Sequence, residues 1–191
     1  TMTGIFNTAM GDSALPANTT GCCNMASGRL ALDNNTTGSE NTATGDSALA
    51  GNTTGGSNTA DGRSALGGNA TGCCNTASGY QALVQTTGNS NIGIGVDGGA
   101  SLTTGQNNID IGNQGVAADA GTIRIGTVAS QLPFFLGTQT RTFIAGIRGV
   151  TTDAADAVAV VIDSNGQLGT VSSSRRFKFD ITDMAEATNR L

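Results

Sequence analysis

The stretch Asn41-Thr-Ala-Thr-Gly-Asp-Ser-Ala-Leu49, followed after two residues by the linker Asn52-Thr-Thr-Gly55, decides the fold of this chain. The same pattern begins every 17 residues, and its first residues are Asn7, Asn24, Asn41, Asn58 and Asn75. Looser copies follow at Asn91 and Asn108, at spacings of 16 and 17 residues. Self-similarity at a fixed period of this length indicates a repeat protein, in which each unit stacks on its neighbours.

A unit of 17 residues is too short for a helix pair and too rich in Gly for one helix. It fits very short strands with tight turns, which is one coil of a parallel β-roll or β-helix. The Gly that closes each Asn-x-x-x-Gly provides a turn where a Cβ would be costly. We expect the Leu at the end of each unit to stack inside the coil, beside the Ala two residues after the repeat Asn. These leucines are Leu15, Leu32, Leu49, Leu66 and Leu83.

The repeat Asn has two interpretations, a buried amide ladder along the coil or a good turn residue. The ladder is favoured because turns also accept Asp and Ser, whereas this position is Asn in every unit. A second set of Asn, in the linkers, matches the N-glycosylation pattern, but its fixed place in the repeat favours turn chemistry. This set is Asn18, Asn35, Asn52 and Asn69.

Isoleucines appear from residue 91 onward, at Ile92, Ile94, Ile109 and Ile111. Either the core thickens there, or a second buried face forms against sister chains.

Composition narrows the function classes. The chain has 191 residues, 29 of them Gly, with 4% aromatic and 12% charged residues and no His or Trp. Many of its apolar residues are Ala, which buries little area at roughly 25 cal/mol per Å², so stability must come from ladders and association with other chains.

A net charge of -5 gives no reason to expect nucleic acid. No segment approaches the roughly 18 apolar residues that span a bilayer, and the lack of His removes the commonest zinc ligand and general base. We expect no metal, no cofactor and no membrane insertion.

The four cysteines form two doublets, Cys22-Cys23 and Cys73-Cys74, immediately before the repeat Asn and 51 residues apart. Three coils at about 4.8 Å each separate them by about 14 Å, which exceeds the Cα separation of roughly 7 Å that a disulfide spans. Interchain disulfides within a coil level, free thiols and metal binding stay open. Interchain disulfides would indicate an oxidising, extracellular setting.

The units and their Asn-Thr-Thr-Gly linkers resemble the head repeats of trimeric autotransporter adhesins and related phage tail-fibre repeats, over roughly residues 1–115. The resemblance implies a left-handed parallel β-roll, three chains per fibre, and a binding or spacer role. The predicted fold class is therefore all-β, a homotrimeric parallel β-roll or β-helix fibre of 17-residue coils.

Beyond the repeats the period fails and ordinary strand signals appear. We divide the chain into a shaft at 1–118, a β-rich neck at 119–171 and a final segment at 172–191. Within the neck, residues 157–162 and 167–171 flank Asn165-Gly166, a pattern typical of a β-hairpin.

The final segment opens with Ser172-Ser-Ser-Arg-Arg-Phe-Lys-Phe-Asp-Ile181, which resembles the start of the self-cleaving intramolecular chaperone domain of tail spikes and fibres. The resemblance implies that Ser173 attacks the carbonyl of Ser172, that Lys178 acts as its base, and that residues 180–191 form a first helix.

The repeats and the final segment are compatible with three functions. The favoured one is a structural and receptor-binding fibre that is extracellular, homotrimeric and processed before Ser173, with a cell-surface glycan or protein as its receptor. The alternative is a bacterial trimeric surface adhesin without self-processing. A polysaccharide-cleaving enzyme is disfavoured, because glycosidases need two carboxylates facing one cleft and the repeats carry Asp12, Asp46 and Asp61 singly.

Overall fold

The computed structural model describes residues 3–126, 160–162 and 168–170. Eight three-residue strands lie in residues 3–126. They are β1 (Thr8–Met10), β2 (Met25–Ser27), β3 (Thr42–Thr44), β4 (Thr59–Asp61), β5 (Thr76–Ser78), β6 (Ile92–Ile94), β7 (Ile109–Ile111) and β8 (Ile123–Ile125). They form one parallel sheet in sequence order, so that each strand pairs with the same strand of the next coil. The predicted all-β parallel solenoid is confirmed, and no helix occurs in the described ranges.

Backbone hydrogen bonds between coils continue outside the strands. The N–H of Leu32 donates to the carbonyl of Ala48 (3.0 Å), and the N–H of Thr36 donates to the carbonyl of Thr53 (2.9 Å). These bonds join equivalent parts of successive coils, so the whole coil, and not only its strand, stacks on the next. Three-residue strands suffice because the turns carry ladder bonds as well.

The core is one column of Leu flanked by columns of Ala. Leu32, Leu49, Leu66 and Leu83 have no exposed surface, and Leu15 is 5% exposed. The strand alanines Ala26, Ala43, Ala60 and Ala77 are fully buried beside a second Ala column. Ala9 occupies the same position in β1 and is exposed; among the described strands, β1 pairs with β2 alone.

The repeat Asn side chains form a buried ladder inside the coil. The backbone N–H of Asn41 donates to Oδ1 of Asn24 (3.0 Å), and that of Asn58 donates to Oδ1 of Asn41 (3.1 Å). From Asn7 to Asn91, each Nδ2 also donates to a glycine carbonyl, as Asn58 does to Gly72 (2.9 Å), and that of Asn108 donates to the carbonyl of Asp119. One amide therefore satisfies a backbone donor of the next coil and a backbone acceptor, which water would otherwise have to do.

The linker Asn side chains form a second ladder. Nδ2 of Asn35 donates to Oδ1 of Asn18 (3.0 Å), and Nδ2 of Asn52 donates to Oδ1 of Asn35 (2.8 Å). All four linker Asn are at most 4% exposed, and each Nδ2 also donates to the Gly three residues later. A glycan needs this Nδ2 in solvent, so turn chemistry and core packing explain these positions.

The corners of the coil place non-glycine residues at positive φ. The core leucines Leu15, Leu32, Leu49, Leu66 and Leu83 all have φ between 50° and 55°. This left-handed conformation costs a non-Gly residue about 1 kcal/mol or more, and burial of the Leu side chain offsets it. The Gly after each strand is a different case. A Cβ at Gly28 (φ 141°) would clash with the Gly45 carbonyl in the next coil.

Two further strands, β9 (Val160–Ile162) and β10 (Leu168–Thr170), pair antiparallel with Leu168 opposite Ile162. This pairing confirms the strands of the hairpin expected around Asn165-Gly166. The predicted helix over 180–191 lies outside the described residues.

Replacing Asn58 by Ala tests the first ladder. We expect the Asn58→Ala change to lower the free energy of unfolding by about 2 kcal/mol or more. The Asn75 N–H loses its acceptor, and the Gly72 carbonyl and Asn41 Oδ1 each lose one of two donors. Guanidinium unfolding followed by circular dichroism measures the change.

The control for this experiment is Thr59→Ala, at the next residue, whose side chain is exposed. It should change the same free energy by no more than about 1 kcal/mol. Equal losses in the two variants would show that the ladder does not stabilise the coil.

Candidate functional site

The outer face of the sheet changes character along the solenoid. In each strand the first and third side chains point outward and the middle one points inward. Outward residues in β3–β5 are Thr, Ser and Asp. In β6–β8 every outward residue is Ile, and we call this set the isoleucine face. It consists of Ile92, Ile94, Ile109, Ile111, Ile123 and Ile125.

Three members of the isoleucine face are exposed in the single chain, and Ile92, Ile109 and Ile111 are partly exposed. Ile94 is 40% exposed, Ile123 is 66% exposed and Ile125 is 72% exposed. The isoleucines therefore do not thicken the core, where Gly93, Asp110 and Arg124 occupy the middle strand positions instead. Of the two expectations from the sequence, only a second apolar face fits. Contiguous exposed apolar surface of this kind marks an interaction site.

A smaller apolar group lies at the other end of the described solenoid. Phe6 is 79% exposed, Met10 is 67% exposed and Ile5 is 60% exposed. Met25, in the next coil, is 43% exposed. These residues are of different types and do not repeat in register from coil to coil, so they form a less regular surface than the isoleucine face.

Charged side chains follow the strands in a surface column. Nη2 of Arg29 lies 2.9 Å from Oδ1 of Asp46, and Nε of Arg63 lies 3.7 Å from Oδ2 of the same carboxylate. The guanidinium of Arg63 also lies 5.5 Å from the ring centre of Tyr80. The column thus links three successive coils by alternating charge and a fourth through the ring of Tyr80. Pairs this exposed contribute at most about 1 kcal/mol each, and Asp46 faces arginines and not a second carboxylate.

The four cysteines lie where the coil turns into the strand. Cys23 and Cys74 are exposed, Cys22 and Cys73 are half-buried, and all four are free thiols. The neighbouring Cys22 thiol, with smaller contributions from burial and Glu40, raises the pKa of Cys23. The structure brings each doublet together but keeps the two doublets three coils apart. An interchain disulfide requires a second copy and stays a prediction.

Asp110 is a buried carboxylate that the sequence reasoning missed. It occupies the middle position of β7, where β2–β5 have Ala, and it is 1% exposed. Neither carboxylate oxygen has a hydrogen-bond partner. A Cβ at Gly115 would lie 3.0 Å from Oδ2 of Asp110, so this glycine leaves room for the carboxylate. The available signal was a charged residue at the Ala position of the repeat.

Burial raises the pKa of Asp110 to about 6, and the negative charge of Asp119 adds to the rise. Arg124 follows Asp110 in register on the next strand, and its positive charge opposes the rise. Its guanidinium is held by Asp119, with Nε 2.6 Å from Oδ2 and Nη2 3.1 Å from Oδ1. The nearby Arg124 guanidinium is therefore paired with Asp119 and makes no hydrogen bond to Asp110.

Ser173 and Lys178 lie outside the described residues, so their geometry carries no argument. Over the part of the chain that the structure describes, no three His, Cys, Asp or Glu side chains group as metal ligands. The same part contains no helix with the length and hydropathy of a membrane span.

Removing the Asp110 carboxylate should stabilise the C-terminal coils at neutral pH. The folded pKa of about 6 lies above the unfolded value of 3.8, so the stability linked to protonation is complete below pH 3.8 and is lost as pH rises through 6. We expect Asp110→Ala, which restores the repeat residue, to raise the free energy of unfolding at pH 7.5 by up to about 3 kcal/mol.

Thermal melts between pH 4 and 7.5 measure this effect. The wild-type chain should lose stability as pH rises through 6, and Asp110→Ala should lose less of it. Asp61→Ala, at an exposed position of β4, is the control and should keep the wild-type pH profile. A wild-type profile in Asp110→Ala would contradict the assignment.

No family model matches this chain, and no curated protein or solved structure matches it either.

Proposed function

We propose that this chain is the shaft of an extracellular homotrimeric fibre that presents or spaces a receptor-binding surface. The observation that carries the proposal is the isoleucine face, a regular apolar surface on the outside of a narrow solenoid. Covering a half-exposed Ile contributes on the order of 1 kcal/mol. Three exposed isoleucines and three partly exposed ones in register therefore favour association over a monomer.

The occupant that fits this face is a second copy of the chain. Its isoleucines repeat with the spacing of the coils, about 4.8 Å, and sister chains running in the same direction present isoleucines with the same spacing. The number three comes from the resemblance to trimeric adhesin heads and tail-fibre repeats. The core of the described solenoid is already filled by Leu, Ala and Asn, so the apolar surface that is free for association lies on the outside.

The final segment supports a tail-fibre setting through its own resemblance. In this proposal Oγ of Ser173 attacks the carbonyl of Ser172 while Lys178 accepts the serine proton. The C–N bond between Ser172 and Ser173 then breaks, the freed amine takes that proton, and water hydrolyses the resulting ester, so the chain is cut once after assembly. The runner-up function is a bacterial trimeric surface adhesin, which uses the same repeats without self-processing. The two functions differ in whether the chain is cut.

Charged substitutions on the isoleucine face test the trimer. We expect Ile94→Glu combined with Ile111→Glu to convert the trimer into monomers, because six carboxylates would be buried at the interface without partners. The monomer should keep its fold, since Asp61 already stands in the same outward column as Ile94 and Ile111. Sedimentation equilibrium gives the mass and circular dichroism gives the fold.

Ser78→Glu is the matched control, one coil before Ile94 in that column and outside the isoleucine face. It should leave the trimer intact. A monomeric wild-type chain, or a double variant that is still trimeric, would overturn the proposal. A wild-type dimer would overturn the stoichiometry.

Self-processing is tested by intact mass under denaturing conditions, on protein expressed from its whole reading frame. We expect the shaft fragment to end at Ser172. Both Ser173→Ala and Lys178→Arg should remain uncut, the latter because a guanidinium keeps its proton. Ser174→Ala, next to the nucleophile, should be cut normally. An uncut wild-type chain would remove the self-processing proposal and favour the adhesin.

A further inference from the structure

The two cysteine doublets occupy the same position in two coils. Three other coils have Ser39-Glu40, Gly56-Ser57 and Asn89-Ser90 there, and the first described coil has the exposed pair Ile5-Phe6, so the position is a surface site that is polar in most coils. The second residue has a φ of 61° in both doublets. Because the coils are in register, the two doublets present their sulfurs to solvent in the same way.

Backbone contacts hold each doublet in place. The N–H of Cys22 donates to Oγ of Ser39 (3.1 Å), and the N–H of Cys73 donates to Oδ1 of Asn89 (2.8 Å). Both partners belong to the following coil. The N–H of Cys23 donates to the carbonyl of Ile5 and that of Cys74 to the carbonyl of Gly56, both in the preceding coil. Each doublet is thus anchored on both sides, while the second sulfur remains accessible.

The two thiols of a doublet act on each other. Hydrogen bonding by the Cys22 thiol is the main cause of the raised pKa of Cys23, and the Cys73 thiol has the same effect on Cys74. Both second thiols therefore stay protonated at neutral pH, which makes them poor nucleophiles toward reagents that need one thiolate. A species that condenses with two neutral neighbouring thiols does not meet this obstacle.

The surroundings restrict the ligand class further. Within the described residues no third His, Cys, Asp or Glu completes a metal site at either doublet. Zinc in proteins takes four ligands, or three and a water, and hard cations prefer oxygen ligands. A soft centre that is satisfied by two sulfurs fits best.

We propose that Cys22-Cys23 and Cys73-Cys74 are two independent vicinal dithiol sites, each of which binds one trivalent arsenical. With phenylarsine oxide, two As–S bonds form, two S–H bonds and the arsenic–oxygen bond break, and one water leaves. Arsenic stays trivalent and no oxidant is needed. The separation of about 14 Å between doublets keeps the two events separate, so the stoichiometry is two per chain.

The experiment is titration of the reduced protein with phenylarsine oxide, read by intact mass. We expect two additions per wild-type chain, one in Cys23→Ser, one in Cys74→Ser and none in the double variant. Serine is tolerated at this position, because Ser57 and Ser90 adopt the same conformation (φ 57°) in their coils. An excess of 2,3-dimercaptopropanol should remove the additions, and an equal concentration of 2-mercaptoethanol should not.

Several results would overturn the proposal. These are no addition to the reduced wild-type chain, one addition shared between the doublets, or two additions retained in Cys23→Ser. Denaturing electrophoresis without reductant tests whether the cysteines form interchain disulfides. A covalent oligomer that disappears in the double variant would assign the cysteines to interchain disulfides instead. Trimer formation is measured separately by sedimentation, so failure of the dithiol proposal can be distinguished from failure of the fibre proposal.

Discussion

Every coil depends on the buried asparagine amide that joins it to the next. The interior of a 17-residue coil is too narrow for large side chains, and its backbone turns leave N–H and carbonyl groups facing inward. Oδ1 of Asn41 accepts the N–H of Asn58, while Nδ2 of Asn41 donates to the Gly55 carbonyl. Each amide replaces the water that a buried backbone would otherwise need. The bonds exist only if the next coil presents the same groups at the same height, so the period is a structural requirement.

The first irregular spacing shows how this requirement is met. Asn91 follows Asn75 by 16 residues, yet its N–H still donates to Oδ1 of Asn75 (2.9 Å). The missing residue is absorbed in the linker, where Thr86 is buried in place of a linker Asn. The linker ladder stops there, and Oδ1 of Asn69 is left without a partner. The first ladder is therefore the one that the fold preserves.

With the interior so constrained, most of the variation lies in the outward columns. The strand face changes from Thr and Ser to Ile, the corner column alternates Arg and Asp, and the turn before the strand carries the cysteines. Because the coils stack in register, equivalent side chains of successive coils form a row along the solenoid. A solenoid of this kind therefore presents extended stripes and not a pocket, which agrees with a role in association and display. The last described coils differ inside as well, since Asp110 replaces the buried Ala.

The sequence alone was sufficient for the repeat, the parallel solenoid, the stacked leucines and the choice of Asn as an interior residue. All of these follow from the period and from which residue type recurs in it. Only the tertiary structure showed that the isoleucines point outward, because alternation along a three-residue strand does not say which side is the core. It also showed that the leucines adopt positive φ, since turn propensities assign that conformation to Gly and Asn. The burial of Asp110 likewise depends on the coils that cover it, and no pattern of neighbouring residues along the chain reports that.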